Sequence, residues 1–171
     1  MKYKISGHEK FSLRYTWLPK AIIALKEDSK TFSKFDDAII LMGVGKNMVQ
    51  SIKFWALSTQ IVEQDENGGL SITEFGNDLF KTDGLDPYLE DIKTLWLLHW
   101  KLSTLKEAPL LAWDYLLNRW HEPEITKSSV IRVFENDKEK IDGCPSSVTL
   151  KDHFDTFIRT YVPTRGPKGI I

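Results

Sequence analysis

The chain has 171 residues, of which 42% are hydrophobic, and its formal net charge at pH 7 is −1. This composition suffices for a packed core and excludes an intrinsically disordered chain. Cys144 is the single cysteine, which excludes an internal disulfide, and apolar runs such as residues 95–98 end well short of the roughly 20 residues that span a bilayer. We therefore expect a globular cytoplasmic protein that has neither a membrane segment nor a secretion signal.

Charge is distributed unevenly along the chain. Residues 1–60 contain 10 Lys and Arg against 5 Asp and Glu, residues 61–100 contain 2 against 9, and residues 101–171 contain 11 against 10. A basic first third suits an anionic partner such as nucleic acid.

The first third predicts three helices. Apolar residues at spacings of three and four predict a helix over residues 17–27, with one side facing a core. Asp36 and Asp37 lie where the macrodipole of a second helix favours negative charge, and that helix precedes Gly43. The segment Gly43-Val44-Gly45 then predicts a tight turn before a longer helix that begins at Lys46.

The helix that begins at Lys46 has one packing face and one polar face. At about 100° per residue, one side of this helix carries a group of polar side chains, namely Lys46, Asn47, Gln50, Ser51 and Lys53. Side chains of these types bind base edges and phosphates in a major groove, so we interpret the segment as a helix-turn-helix and these five as candidate DNA-binding residues. An ordinary solvated surface helix is the alternative.

A hairpin and a short helix complete the pattern of a winged helix. Residues 61–63 and 70–72 read as paired strands, joined by a turn that contains Asn67-Gly68-Gly69. Thr73 is placed to cap the next helix. Asp65 and Glu66 place negative charge at the hairpin tip, where a wing would meet phosphate, so we expect the helix from Lys46 to carry DNA binding. Residues 1–82 are thus predicted to form a winged-helix domain.

Residues 83–171 are predicted to form a second, helical region. The turn-rich segment 83–91 marks the boundary, and helices are expected over residues 92–105, 109–120, from a cap at Thr126 or Ser128, and through residues 150–161. Residues 94–102 are apolar nearly all round, which predicts a helix buried on most sides. The whole chain is therefore expected to be mainly α-helical with one small β-hairpin.

The sequence gives little support for catalysis or a cofactor. Gly43-Val44-Gly45-Lys46 lacks the glycine spacing of a phosphate-binding loop, and one cysteine with four scattered histidines does not predict a zinc site. The string Asp91-Ile92-Lys93, with Asp78, Asp83 or Asp86 upstream, loosely fits a magnesium nuclease. We therefore predict no cofactor for this chain, and magnesium only if it is a nuclease.

Four stretches together resemble the bacterial domain-of-unknown-function family numbered 4007. They are Gly7-His8-Glu9-Lys10-Phe11 with its continuation to Leu18, residues 37–55, residues 84–100, and Phe157-Ile158-Arg159-Thr160-Tyr161-Val162-Pro163. The resemblance runs from about residue 5 to residue 165. Because family members are typically longer, the natural protein is expected to extend beyond residue 171.

The resemblance implies a role in DNA metabolism. Proteins of this family accompany phosphoadenosine-phosphosulfate-reductase-like genes in DNA phosphorothioation systems, and they are similar to the Ssp B component, a DNA-nicking protein of that antiphage pathway. The leading hypothesis is a DNA-binding winged-helix protein whose partners are double-stranded DNA and other proteins of the system. Two alternatives stay open: a magnesium-dependent nickase using Asp91 and Lys93, and a protein-interaction adaptor that docks through exposed Phe54 and Leu57.

Overall fold

A computed structural model describes residues 2–66, 68–143 and 145–162. Within these residues the protein is mainly helical, with eight α-helices, two short 3-10 helices and one two-stranded antiparallel sheet. In chain order the α-helices and strands are α1 (Trp17–Glu27), α2 (Phe35–Met42), α3 (Lys46–Ser58), β1 (Val62–Gln64), β2 (Leu70–Ile72), α4 (Glu74–Phe80), α5 (Ile92–Ser103), α6 (Leu111–Asn118), α7 (Lys127–Asn136) and α8 (Ser147–Tyr161). The 3-10 helices are Thr31–Ser33 and Lys138–Lys140.

Contacts between residues divide the chain into two compact units. One unit contains residues 7–102, and the other combines residues 2–6 with the described residues from 103 onward. The sequence-based division after residue 82 stays a prediction. None of the described helices is both long and apolar enough to cross a membrane.

In the unit of residues 7–102, α1 and α2 pack against α3. The apolar positions that predicted α1 and α3 are buried except for the half-buried Met48, and Leu18, Ile22, Ile52 and Trp55 are at most 1% exposed. The hairpin pairs Val62 with Ile72 and Gln64 with Leu70. The sheet therefore follows α3 directly and precedes α4, in the predicted order.

The start of α4 shows how a local sequence signal sets an element boundary. The Thr73 hydroxyl accepts a hydrogen bond from the Gly76 N–H at 3.0 Å, as expected of a helix cap. The same cap type begins α7, where the Thr126 side chain accepts from the Ser129 N–H. Of the two predicted caps for α7, Thr126 is therefore the one used.

The second unit has its own core, and residues 3 and 4 pair with it. Trp113, Phe134 and Leu150, from α6, α7 and α8, are fully buried. Tyr3 and Lys4 form isolated parallel bridges with Ile141 and Leu110. The first residues of the chain therefore pair with its second half, a long-range contact that periodicity alone does not reveal.

The prediction that α5 is buried on most sides is wrong. Leu98 and Leu102 are each 2% exposed, but Trp96 is 65% and Trp100 is 62% exposed. An all-apolar helix is normally buried all round, yet here one apolar side packs and the other stays open.

Candidate nucleic-acid interface

The turn between α2 and α3 depends on Gly43. This residue ends α2 in the left-handed region, at φ 64°, and its N–H donates to the Ile39 carbonyl at 3.0 Å. Glycine takes this conformation without the steric cost that a side chain adds. Gly45, at φ −72°, then begins α3, so two helices follow each other within three residues of loop.

Four of the five candidate DNA-binding side chains reach the surface. Lys46 and Asn47 are exposed in the first turn of α3, and Gln50 and Lys53 are partly exposed further along the helix. Ser51 is 0% exposed, so its hydroxyl lies within the packed side of the helix. The polar face available to a ligand is therefore formed by Lys46, Asn47, Gln50 and Lys53, which we call the α3 polar face.

The N-terminus of α3 favours an anion. Among the described residues, its first turn has no acidic side chain, and the cap residue Gly45 supplies no side-chain hydrogen bond. The positive end of the helix dipole is thus left without a local carboxylate. The Lys46 Nζ lies 5.8 Å from the centre of the Phe35 ring, a cation–π distance that holds the ammonium near this helix end.

The C-terminal half of α3 packs against residues 7–11. Phe54 is only 4% exposed, so the expectation that it is an exposed docking residue is wrong. Its ring meets His8 edge-on at 5.6 Å, and a Cβ added at Gly7 would lie 2.8 Å from it. The Trp55 indole N–H donates to the Phe11 carbonyl at 3.2 Å.

The structure thereby brings together two stretches that the sequence singled out separately. The Gly-His-Glu-Lys-Phe segment fixes the far end of the helix whose first turn carries Lys46 and Asn47. A helical wheel could not find this, because it places Phe54 in the middle of the polar face and does not include the distant segment that covers it.

The hairpin tip is acidic, and one of its carboxylates has a structural role. Asp65 accepts the Gly69 N–H at 2.8 Å through Oδ1, and its backbone N–H donates to the Gly69 carbonyl. Glu66 is exposed at the same tip, while Asn67 of the predicted turn lies outside the described residues. Negative charge at this tip opposes a phosphate contact, so α3 remains the better anion-facing element.

The loop that resembled a magnesium nuclease is instead organised as a helix start. Both Asp86 carboxylate oxygens accept backbone N–H groups, from Glu90 at 2.9 Å and Asp91 at 3.0 Å. The Asp91 carboxylate in turn accepts the Lys93 N–H at 2.8 Å. Among the described residues, no group of three or more His, Cys, Asp or Glu could hold a metal ion. Both carboxylate oxygens of Asp86 are therefore engaged by backbone donors at the start of α5.

Two solved structures resemble this chain. A crystal structure of magnesium ion-bound SspB has 26% identity and a TM-score of 0.84, over 96% of this chain and 52% of that chain. A second SspB crystal structure has 26% identity and a TM-score of 0.80, over 93% of this chain and 50% of that chain. The chain thus spans about half the length of the SspB chains it matches.

Comparison with curated proteins finds no match. A family model, described as Protein of unknown function (DUF4007), matches residues 5–169. This match includes all four stretches on which the sequence resemblance was based. The resemblance is therefore confirmed, and the chain belongs to the DUF4007 family.

Proposed function

We propose that this chain binds double-stranded DNA through the α3 polar face, as a winged-helix protein of a DNA phosphorothioation-linked antiphage system. The observation that carries this proposal is the exposed Lys46 and Asn47 pair in the first turn of α3, directly after the glycine turn. In a helix-turn-helix, residues at the start of the second helix contact the base edges of the major groove. Asparagine and glutamine bind adenine through two hydrogen bonds, and lysine binds phosphate or guanine.

The element order supports a winged helix. Three helices are followed by an antiparallel hairpin, and α1 and α2 support α3 from behind. In this proposal α3 enters the groove while the acidic hairpin tip stays away from the phosphates. Residues 1–60, which include α3, hold 10 Lys and Arg against 5 Asp and Glu. This net positive charge also favours binding of DNA by this part of the chain.

Family membership and the similarity to SspB support the pathway. SspB belongs to the Ssp phosphorothioation system, and 96% of this chain aligns with one SspB structure at 26% identity. Other proteins of that system are the partners we propose besides DNA. Since the match covers only 52% of that SspB chain, nicking activity is not carried over to this chain.

The salt dependence of duplex binding tests the proposal. Each phosphate neutralised by a lysine contributes about 0.9 to the slope of log binding constant against log salt concentration. Replacing Lys46 and Lys53 together with Gln should therefore lower the slope by roughly two, measured by fluorescence anisotropy with a labelled duplex. Asn47→Ala should reduce sequence discrimination and leave the slope unchanged, because it touches bases and carries no charge.

A matched control separates a specific face from general charge. Lys20 and Lys151 are exposed lysines on α1 and α8, so replacing both with Gln changes the net charge by the same amount. This control should bind like the wild type. Equal slopes for the Lys46/Lys53 variant and the wild type would refute the assignment of α3.

The same preparation checks the nickase alternative. If the chain only binds DNA, supercoiled plasmid incubated with the chain and magnesium should remain supercoiled, because binding alone breaks no phosphodiester bond. If the wild type forms relaxed plasmid and Asp91→Ala does not, the chain is a nickase and the proposal that it only binds DNA is wrong.

A further inference from the structure

Helix α5 carries an exposed apolar face in addition to its buried one. Ile92, Trp96 and Trp100 recur every four residues, so they lie within about 80° of one another around the helix. Their exposed fractions are 62%, 65% and 62%. We call these three residues the α5 apolar face. Monomeric proteins rarely leave large neighbouring apolar side chains open to water, and such patches commonly mark interaction sites.

The opposite side of α5 accounts for folding. Thr94, Leu98 and Leu102 are between 2% and 8% exposed, and they too recur every four residues. The two rows are interleaved, and the buried row satisfies the packing requirement of the helix. The exposed tryptophans lie on the opposite side of α5 from this buried row.

The segment that leads into the α5 apolar face is acidic. Residues 83–91 hold four Asp and Glu and no Lys or Arg, and they end directly before Ile92. Asp83, Glu90 and Asp91 are all exposed in this segment, and the exposed Lys93 offsets only part of its charge. Such charge repels nucleic acid. An isologous contact between two copies would also oppose two patches of the same negative sign.

We propose that the α5 apolar face docks a basic amphipathic segment of a partner protein, with Trp96 and Trp100 as the anchors. Tryptophan is enriched among residues that dominate binding energy, because a large side chain is desolvated at the centre of the contact. Lysines and arginines on the partner would pair with the acidic residues that precede Ile92, which increases the rate of association and its salt dependence.

A designed peptide tests this inference without a known partner. The probe is a fluorescently labelled helical peptide built of Leu and Lys, titrated with the whole chain. Trp96→Gln combined with Trp100→Gln should weaken binding by at least about 30-fold, the effect expected for losing anchor residues. Asp83→Asn combined with Glu90→Gln should weaken it by about threefold at low salt, and this effect should vanish at high salt.

A matched variant controls for nonspecific adhesion. Ile23 and Ile40 are 57% and 80% exposed in the same unit, so replacing both with Gln removes a comparable amount of exposed apolar surface. This variant should bind the peptide like the wild type. Equal loss in this control, or equal affinity for a Leu and Glu peptide of the same length, would overturn the proposal.

Fluorescence of the wild type gives a readout that does not depend on whether the tryptophan variant folds. Adding the Leu and Lys peptide to the wild type should shift tryptophan emission to shorter wavelength and protect it from quenching by acrylamide, because Trp96 and Trp100 become buried. Unchanged emission at saturating peptide would contradict the inference.

Sedimentation of the wild type should show a monomer. If the wild type self-associates and the Trp96/Trp100 variant does not, the face binds a second copy of the chain and the proposal of a basic partner is wrong.

Discussion

At the scale of single residues, Asp86 is a buried charge with a structural role. Asp86 is 7% exposed, and its carboxylate holds the segment before α5 through the backbone N–H groups of Glu90 and Asp91. Burial raises the pKa of the Asp86 carboxyl, but hydrogen bonds from Glu90, Thr94, Asp91 and Leu89 together hold it below its ordinary value. The ionised form is therefore the one that the fold requires.

Removing this carboxylate should destabilise the chain. Asp86→Ala removes an ionised acceptor from two part-buried backbone hydrogen bonds, so we expect a loss of about 2 to 3 kcal/mol in the free energy of unfolding, measured by urea titration. Because the folded pKa is lowered, the contribution is present above the unfolded value of 3.8 and is lost as pH falls through the lower folded value. Asp83→Ala, at an exposed position in the same loop, should change stability by less than about 0.5 kcal/mol. A similar effect of both variants would contradict the structural role.

At the scale of elements, the close approach of α4 to the chain before β1 depends on Gly76. A Cβ added there would lie 2.1 Å from the Ile61 carbonyl oxygen, which belongs to the backbone and cannot rotate away. The contact places the capped start of α4 against the end of the segment that follows α3. The position of α4 therefore depends on a close backbone contact with the segment after α3, in addition to side-chain packing.

Gly76→Ala adds a single methyl group, and it should nevertheless strongly destabilise the unit of residues 7–102. Overpacking against backbone costs about 1 to 3 kcal/mol, measured as a shift of the urea midpoint. Gly45→Ser is the matched control, since a Cβ at Gly45 meets nothing within 4 Å and the φ of −72° suits any residue. That control should unfold at or above the wild-type midpoint, because serine adds a helix cap. An unchanged midpoint for Gly76→Ala would mean that α4 can move away without cost.

Sequence patterns predicted elements better than they predicted exposure. The bounds of α1, the caps at Thr73 and Thr126, and the return strand from Leu70 all follow from local periodicity and turn chemistry, and the structure contains each of them. Burial depends on what else packs nearby. Phe54 is covered by residues that precede it by more than 40 positions, and Trp96 is left open because Thr94, Leu98 and Leu102 already supply the packing side.

The candidate interface shows the same limit. The helical wheel selected Lys46, Asn47, Gln50 and Lys53, which do reach solvent, but it also selected Ser51, which is buried. A small polar residue carries no reliable burial signal, since serine is tolerated on either side of a helix. The second face of α5 could have been found from the sequence. Two rows of residues each recur every four positions on opposite sides of the helix: Ile92, Trp96 and Trp100 in one row, and Thr94, Leu98 and Leu102 in the other.

At the scale of the whole molecule, the N-terminus belongs with the second half of the chain. Tyr3 donates to Lys140 and accepts from Asp142 through its backbone, and its hydroxyl donates to Asp114 Oδ2 at 2.7 Å. Arg119 pairs with the same carboxylate at 2.9 Å. Residues that are far apart in the sequence thus meet in one hydrogen-bonded group. This unit must therefore form contacts between distant parts of the chain when it folds.

The Tyr3 hydroxyl should make the stability of this unit depend on alkaline pH. Burial first, then the hydrogen bond to Asp114, raises the pKa of Tyr3 from 10.0 to about 12. A raised folded pKa stabilises fully below the unfolded value, so the contribution should be constant below pH 10 and disappear as pH rises to about 12. Tyr3→Phe removes a hydrogen bond to a charged acceptor and should cost about 1.5 to 3 kcal/mol at neutral pH. The urea midpoints of the wild type and Tyr3→Phe should therefore converge as the pH approaches about 12. A difference between the two midpoints that stays the same across this range would show that the hydroxyl proton does not stabilise the contact.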